Sequence, residues 1–369
     1  MKKVLEIIGS LRIGGQEKVG REIGLHIDRD KYEIDYLVFD ETKEPYEADL
    51  EKVGIKVYHF PQPSNGYIQY LNNLRKLLDK NGYSIVHAHT MFNSGWAMLL
   101  AWIEKVPCRI SHSHSIKMVD YHYSILAKAY QFAMQRLIHT FGTEFIGCGK
   151  SAGKWLFGKR FFMKHGRVVY NGIDTEKFGF SSAVRREMRK KLHVENKLVI
   201  GHAGHFMKVK NQHFLISLMP EILNQRPDAV LLLLGDGELK EKSWEECKKL
   251  GIEDKVIMTG NVCNVADYLC AMDVFAFPSL YEGMPLSIIE VQCNGLPCII
   301  SDTVPEDVFL TDLIRPLSLK SPKENWIREI CSASRHDSEK YGKIMGETGF
   351  DESNMLRNIY EIYDSVQQH

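Results

Sequence analysis

The residues of this chain best suited to chemistry are two glutamates eight positions apart, Glu282 and Glu290. They lie between Phe275 and Gln292, where an apolar run ending at Phe277 predicts a buried strand. Pro285 suits the first position of a helix, because its missing N–H would have no helical partner there. Glu282 is therefore expected in the loop after the strand, and Glu290 inside the helix.

The start of this predicted helix is suited to an anion. Its first backbone amides have no partner inside the helix and point outward, where the helix dipole favours negative charge. These amides belong to Gly283, Met284 and Leu286. An anion site between two carboxylates predicts a pocket for a phosphorylated ligand rich in hydroxyl groups, such as a nucleotide sugar. The same carboxylates could form the acid–base pair of a glycosidase, but hydrolysis of an uncharged sugar has no use for the anion site.

Composition predicts a globular protein of two domains. The chain has 369 residues, 44% of them hydrophobic, and no apolar run approaches the roughly 18 residues of a membrane span. Glu6 interrupts the apolar run near the start, which favours a buried strand over a secretion signal. The eight cysteines contain no C-x-x-C pair, which indicates reduced thiols and a cytoplasmic location.

Charge is distributed unevenly along a chain whose net charge is zero. Residues 1–174 carry 24 Lys and Arg against 18 Asp and Glu, which favours an anionic partner or surface and not general nucleic-acid binding. The segment from Lys150 to Arg167 interleaves six basic residues with four aromatic ones. This pattern fits a segment lying on an anionic membrane. It fits equally a helix with its apolar side in the core and a solvated basic rim.

Strand and helix patterns alternate along both halves of the chain, which predicts two doubly wound parallel sheets. The expected strands of the first half are 4–8, 32–39, 55–60, 85–88, 108–111, 145–148 and 168–170. Those of the second half are 198–203, 229–234, 256–259, 274–277 and 297–300. The predicted domains are residues 1–174 and 175–352. Residues 353–369 place Met355, Ile359, Ile362 and Tyr363 on one helical face, which is expected to pack back on the first domain.

Histidines form two H-x-H pairs, His87 with His89 and His112 with His114, each at the end of a predicted strand. Alternation along a strand puts both members of a pair on one face. Such pairs suit either a metal or ordinary hydrogen-bonded roles. Because no carboxylate cluster accompanies them in the sequence, no metal is expected.

Two glycine motifs are candidates for phosphate binding. Gly14-Gly15 follows a strand and opens a helix, so the backbone could approach a phosphate closely. The G-x-G-x-x-G fingerprint is absent, which argues against a dehydrogenase, although Asp40 stands where a ribose-binding acid would. Gly149-Lys150-Ser151 resembles the end of a P-loop, but Glu144 occupies the position of the required glycine.

The order of these motifs resembles that of the retaining family-four glycosyltransferases with the GT-B fold, over essentially the whole chain. Glu282 and Glu290 match the E-x7-E motif of that family, and 14–17 matches its N-terminal glycine loop. Residues 169–174 match the linker between domains, and 234–239 match a turn near the nucleotide. The short sequence segments at 109–114, 155–158 and 300–303 most resemble those of the bacterial exopolysaccharide and capsule branch of the family.

The resemblance implies two Rossmann-like domains facing a cleft, with the acceptor on the first and the nucleotide sugar on the second. It implies that Glu290 holds the ribose hydroxyls and that Glu282 contacts the donor sugar. The residues expected around the sugar and phosphates are Gly283, Met284, Pro285 and Leu286. Lys210 matches a lysine that neutralises the diphosphate. Where the family usually has an arginine shortly before it, this chain has His205, a cation only when protonated.

Further site residues follow from the same resemblance. His114 is expected to face the reacting sugar, with His112 as the alternative and His89 as another residue on the acceptor side. Gly15, Gly204 and Val262 complete the expected donor site, with Val262 near the base.

The implied activity is retaining transfer of a sugar from a nucleotide sugar, with uridine donors preferred, to a lipid-linked or saccharide acceptor in surface polysaccharide synthesis. No metal or other cofactor is expected. The protein is expected in the cytoplasm, with peripheral contact to the inner membrane face through residues 150–167. Two alternatives stay open: a sugar-nucleotide-binding subunit of weak activity, suggested by His205, and a GT-B sugar-nucleotide epimerase.

Overall fold

The computed structural model describes residues 1–12, 14–39, 42–115, 124–335 and 338–366. The chain divides into two compact units. Unit 1 contains Met1–Gly172 together with Glu352–His369, and unit 2 contains Ile173–Asp351. Each unit contains one sheet whose paired strands are parallel, so the predicted fold class of two doubly wound α/β domains is confirmed.

Unit 1 contains a seven-stranded sheet in the order β3-β2-β1-β4-β5-β6-β7. The strands are β1 (Lys2–Ile7), β2 (Tyr32–Val38), β3 (Lys56–His59), β4 (Ile85–Ala88), β5 (Cys108–Ser113), β6 (Glu144–Gly147) and β7 (Gly166–Val168). The helices are α1 (Gly15–His26), α2 (Glu47–Lys52), α3 (Tyr67–Asn81), α4 (Ser94–Ile103), α5 (Ile125–Phe141), α6 (Lys150–Phe157) and α7 (Lys159–His165). From β1 the chain adds strands first on one side and then on the other, so the strand order reverses between β1 and β4.

The basic and aromatic segment from Lys150 to Arg167 forms the two short helices α6 and α7 and the start of β7. Gly158, at a positive φ of 79°, separates the two helices. Phe157 and Phe162 are buried in the core of unit 1. Most of the basic side chains are exposed, namely Lys150, Lys159, Arg160, Lys164 and Arg167. The aromatic side of this segment therefore lies in the core and its basic residues form a solvated rim.

Unit 2 contains a six-stranded sheet in the order β10-β9-β8-β11-β12-β13. The strands are β8 (Leu198–Ala203), β9 (Ala229–Leu234), β10 (Val256–Met258), β11 (Val274–Phe277), β12 (Cys298–Ser301) and β13 (Ile314–Leu317). The helices are α8 (Ser182–Lys191), α9 (Gln212–Gln225), α10 (Lys240–Leu250), α11 (Val265–Ala271), α12 (Leu286–Cys293), α13 (Lys323–Ser332) and α14 (Glu339–Gly346). The strand order reverses between β8 and β11. Strand β13, at the edge of the sheet, was not predicted.

The C-terminal helix α15 (Glu352–Asp364) belongs to unit 1. Its apolar face, predicted from helical spacing, is buried in the core that also contains residues of α1 and β1. The hydroxyl of Tyr360 donates to the carbonyl of Ile23 at 2.9 Å, and Nζ of Lys2 donates to the carbonyl of Tyr363 at 2.9 Å. The last helix of the chain therefore completes the core of unit 1. None of the described helices is both long and apolar enough to cross a membrane.

The packing of α15 makes a testable prediction. Ile359 is fully buried, so Ile359→Ala should lower the free energy of unfolding of unit 1 by about 2–5 kcal/mol, through lost burial and the cavity left behind. Glu361→Ala, at an exposed position two residues away, should change it by less than about 0.5 kcal/mol. Guanidinium unfolding measures both. Equal effects of the two variants would show that α15 does not pack as described.

Candidate functional site

The loops at the carboxyl edge of a parallel sheet form a crevice where the strand order reverses. In unit 2 this point lies between β8 and β11, and the loops concerned are residues 204–211 and 278–285. The backbone N–H of Leu280 donates to the carbonyl of Val209 at 2.8 Å. The side-chain amide of Asn211 donates to the carbonyl of Pro278 at 3.1 Å. Topology and these hydrogen bonds together bring the two loops side by side.

An ion pair joins the same two loops. Nζ of Lys210 lies 2.7 Å from Oε1 of Glu282, and the two side chains are only 19% and 11% exposed. Nζ also lies 5.0 Å from the centre of the Phe277 ring, within range of a cation–π attraction. The lysine predicted to meet a diphosphate and the glutamate predicted to meet the donor sugar are therefore in direct contact.

The turn after β9 packs against the loop that carries Lys210. Gly237 adopts φ of +153°, and a Cβ there would come within 2.6 Å of the Phe206 carbonyl oxygen. Backbone hydrogen bonds join Phe206 N–H to the Asp236 carbonyl at 2.9 Å and Leu239 N–H to the Phe206 carbonyl at 3.0 Å. Glycine is needed here because the two backbones approach too closely for a side chain.

His205 lies in this loop with an exposed side chain. The carboxylate of Asp236 has its pKa lowered by the hydrogen bond from the Gly237 amide and by Lys240, with a further contribution from His205. Gly204 leaves room for the Lys210 side chain, whose methylene carbons would lie 3.3–3.4 Å from a Cβ at that position. The loop thus contains one imidazole, that of His205, and two ammonium groups, those of Lys208 and Lys210, within six residues.

Helix α12 begins at Leu286 with Pro285 preceding it at the cap, one residue later than predicted. Gly283 and Met284 are partly exposed in the loop before it, and Glu290 is partly exposed inside the helix. Val262 is partly exposed in the loop between β10 and α11. The expected donor residues of unit 2 therefore all lie on α12 or in loops that follow β8, β10 and β11.

In unit 1 the strand order reverses between β1 and β4, and the glycine loop follows β1. Helix α1 begins at Gly15, with Gly14 extended at its cap. A cavity of about 370 Å³ lies at this edge, and its lining includes Gly9, Ser10, Arg12, Gln16, His89 and Asn93. Asp40, considered above as a ribose-binding acid, lies outside the described residues.

The four histidines of the two H-x-H pairs form one cluster beside the carboxylate of Glu6, which is fully buried in β1 and is contacted directly by His87 and His89. His87 Nδ1 lies 3.2 Å from Oε1, and His89 Nε2 lies 2.8 Å from Oε2. His112 and His114 contact the first pair from β5 and the residue that follows it. The sequence did not reveal this carboxylate partner because it lies 81 residues before His87. The sequence signal for this partnership is that Glu6, a charged residue, lies within an apolar strand.

Burial sets the protonation of this cluster. Burial lowers the pKa of His89 to about 4, and lowers the pKa values of His112 and His114 as well. Burial alone would raise the pKa of Glu6, but the attraction of His87 and hydrogen bonds from His87 and His89 hold it below its ordinary value. One nitrogen from each of His87, His89 and His112 lies within 4.8 Å of the others, close enough to share a metal ion. The expectation that no metal binds therefore stays a prediction.

His202 in β8 is a buried residue that sequence reasoning missed. Its Nδ1 hydrogen-bonds to the carbonyl of Ala276 at 3.0 Å, and its ring stacks near Phe275 and Phe277. Burial lowers its pKa to about 4. A neutral imidazole therefore lies beneath the loops that carry the Lys210–Glu282 ion pair.

Comparison with known proteins identifies the family. The family model Glycosyltransferase Family 4 matches residues 13–177, and the model Glycosyl transferases group 1 matches residues 184–330. The EpsF protein of Bacillus subtilis (strain 168), named as a glycosyltransferase, is 30% identical over 98% of this chain and 96% of its own length. This chain belongs to the family-four glycosyltransferases.

Other relatives fit the same branch and fold. A capsular polysaccharide biosynthesis glycosyltransferase, CapH of Staphylococcus aureus, is 24% identical over 99% of both chains. An Escherichia coli enzyme named as a UDP-Gal:α-D-GlcNAc-diphosphoundecaprenol α-1,3-galactosyltransferase is 28% identical over 63% of this chain and 61% of its own. The crystal structure of Anabaena HepE with UDP superposes with a TM-score of 0.79, at 22% identity over 99% of this chain and 100% of that one. The fold is GT-B, and the chain is related to enzymes of capsule and polysaccharide synthesis.

The lowered pKa of His202 predicts a pH dependence of stability in unit 2. Below about pH 6.5 the unfolded chain binds a proton at this position and the folded chain does not, so stability falls as the pH drops towards 4. His202→Phe removes this proton uptake and should reduce the loss of stability between pH 6.5 and 5 by about 2 kcal/mol. Guanidinium unfolding followed by the fluorescence of Trp244 and Trp326 measures the difference. Identical pH slopes for the two proteins would contradict the account.

Proposed function

We propose that this chain is a retaining glycosyltransferase that uses a UDP-sugar and a lipid-linked or saccharide acceptor in surface polysaccharide synthesis, and that it needs no metal. The observation that carries the proposal is the Lys210–Glu282 ion pair at the point where the strand order of unit 2 reverses. The UDP bound to HepE supports the choice of donor, and the name of the Escherichia coli relative supports a lipid-linked acceptor.

The donor diphosphate would become a partner of Lys210. Negative charge grows on the diphosphate as the bond from sugar to phosphate breaks, and fixed positive groups stabilise that charge. Lys210, His205 and the amides at the start of α12 supply such groups in this proposal. Once Lys210 turns to the phosphates, Glu282 is released to accept a hydrogen bond from a sugar hydroxyl, while Glu290 accepts from the ribose.

Unit 1 would hold the acceptor. Its cavity at the end of β1 is lined by hydrogen-bonding side chains, among them Ser10, Arg12, Gln16 and Asn93, which suit a hydroxyl-rich acceptor. His114 is assigned to a hydroxyl of the transferred sugar. The acceptor oxygen forms the new bond to the anomeric carbon as the diphosphate leaves, and its proton is lost to the departing oxygen or to water.

One observation favours a second candidate, a nucleotide-sugar-binding subunit with little turnover. His205 is exposed, and an imidazole stabilises a diphosphate less than the guanidinium usual in the family. Tight donor binding without turnover across a broad panel of acceptors would establish this second candidate.

Two variants of one loop test the enzyme. Lys210→Met should lower the rate of nucleotide release with donor and acceptor by about 100-fold or more, because it removes a charge that stabilises the leaving group. Lys208→Met, at an exposed position two residues earlier, should stay within about threefold of the wild type. The assay is run with a chelator, and the anomeric configuration of the product is read by NMR. Equal rates for both variants, an inverted product or activity abolished by the chelator would each contradict the proposal.

We further propose peripheral contact of unit 1 with an anionic membrane. Helix α5 exposes Ile125, Leu126 and Phe132 at 86%, 82% and 66%. Its His139 stacks on Phe161 of α7, with ring centres 3.7 Å apart. The basic rim of residues 150–167 therefore adjoins the end of α5, and the exposed apolar side chains lie nearer the start of the same helix. Exposed basic and apolar side chains together are the combination that binds anionic bilayers.

Vesicle sedimentation tests this contact. Wild-type protein should bind phosphatidylglycerol vesicles more strongly than phosphatidylcholine vesicles. Lys159→Glu with Arg160→Glu should reduce the bound fraction several-fold, because each basic residue near the surface contributes about 1 kcal/mol. The control Lys248→Glu with Lys249→Glu makes the same change of charge in unit 2. Equal loss from both pairs would show that net charge and not this surface governs binding.

A further inference from the structure

The carboxylate of Glu6 needs hydrogen-bond donors, because it lies in the core of unit 1 at 0% exposure and a buried charge is tolerated only when it is paired. Two histidines and one tyrosine surround it: His87 and Tyr363 at Oε1, and His89 at Oε2. An ionised carboxylate only accepts hydrogen bonds. His89 and Tyr363 must therefore point their protons at Glu6. The proton on Nδ1 of His87 points at Oε1 of Glu6, 3.2 Å away, or at the Tyr363 hydroxyl, 2.8 Å away.

The proton on His89 fixes the proton on the next imidazole. His89 Nε2 lies 2.8 Å from Oε2 of Glu6 and must carry the hydrogen. A neutral imidazole has one N–H, and burial lowers the pKa of His89 to about 4, so its Nδ1 is an acceptor. That Nδ1 lies 2.8 Å from Nε2 of His114, which must therefore be the donor.

His114 is left with an unprotonated Nδ1. This nitrogen makes no hydrogen bond of normal geometry within the described part of the chain. The side chain of Asn171 is close enough to His114 to oppose the lowering of its pKa through hydrogen bonding. His114 is also the least buried of the four histidines, at 9% against 0% for the others. The series of hydrogen bonds that starts at Glu6 thus ends at the lone pair on Nδ1 of His114, the most exposed of the four histidines.

We propose that Glu6 is a positioning residue which, through His89, holds His114 in the tautomer whose Nδ1 accepts a hydrogen bond from a substrate hydroxyl. The part that concerns substrate rests on the proposed function, which assigns His114 to the transferred sugar. Without the carboxylate, nothing in this chain of contacts decides which nitrogen of His114 carries the proton. In a fraction of the molecules Nδ1 of His114 would then carry the proton, and it could not accept a hydrogen bond from the substrate.

The contacts favour this relay over a metal site. A metal ion needs lone pairs from several imidazoles directed at one point. His87 and His89 each use both ring nitrogens in contacts with Glu6 or with a histidine of the other pair. A shared ion would have to break the hydrogen bonds that stabilise the buried carboxylate.

A second branch of the same network provides a matched control. Oε1 of Glu6 contacts His87, whose Nε2 lies 3.2 Å from Nδ1 of His112. The hydroxyl of Tyr363 contacts the same oxygen. Tyr363→Phe therefore removes the hydroxyl that contacts Oε1 of Glu6 and, at 2.8 Å, Nδ1 of His87, but it leaves the charge of Glu6 and its contact with His89 in place.

The test is long-range proton–nitrogen NMR of the full chain labelled with ¹⁵N-histidine, together with steady-state kinetics. The His114 signals, assigned by their loss in His114→Gln, should show one tautomer with Nε2 protonated. Glu6→Gln should abolish this single tautomer and lower kcat about ten- to hundredfold, the effect of misplacing one hydrogen bond. Tyr363→Phe should keep the tautomer and stay within about threefold of wild-type kcat. If Glu6→Gln fails to fold, His89→Gln tests the same contact between Glu6 and His89 by changing the histidine instead of the carboxylate.

Four results would overturn the inference in whole or in part. A mixed His114 tautomer in the wild type would refute the relay whatever the activity, as would an unchanged tautomer in both Glu6→Gln and His89→Gln. Equimolar zinc retained after dialysis against a chelator would replace the relay with a metal site. A tautomer lost in Glu6→Gln without any change in kcat would refute the role assigned to His114 in the proposed function, and with it the substrate half of this inference.

Discussion

The ion pair between Lys210 and Glu282 is the interaction on which the proposed donor site depends. The two residues are 72 positions apart and meet because the strand order of unit 2 reverses between the strands that precede their loops. Their side chains are mostly shielded from solvent, so their attraction is stronger than that of a surface pair. In the absence of a nucleotide sugar, Lys210 and Glu282 neutralise each other. A bound diphosphate would carry more negative charge than Glu282 and would compete with it for Lys210.

Unit 1 follows the same topological rule with different chemistry. Glu6 lies in β1, beside the reversal point, and is paired with imidazoles instead of an ammonium group. Because burial keeps the rings of His89 and His114 neutral, they transmit the direction of hydrogen bonds and not charge. The hydroxyl of Tyr363 on the carboxylate also ties the C-terminal helix to this network. One buried carboxylate thus connects β1, β4 and the C-terminal helix, and in the proposed relay it also sets the tautomer of His114.

Most of the fold could be predicted because buried parallel strands are short apolar runs. The bounds of β4, β8, β9 and β11 were predicted to the residue. Strand β13 was missed because it is an edge strand with exposed Arg315 and Pro316, and α5 because its outward face carries apolar residues that blur the amphipathic pattern. Sequence motifs identified Glu282 and Lys210 as site residues, but no local sequence pattern could show that their side chains are in contact. The partnership of Glu6 with the histidines was likewise invisible, since only pairing of β1 with β4 creates it.

A crystal structure of this chain with a non-hydrolysable UDP-sugar tests the central claim most directly. The account predicts that Nζ of Lys210 leaves Glu282 and lies about 3 Å from a diphosphate oxygen. The carboxylate of Glu282 should then accept a hydrogen bond from a sugar hydroxyl. A nucleotide bound elsewhere, with the Lys210–Glu282 pair still at 2.7 Å, would contradict it.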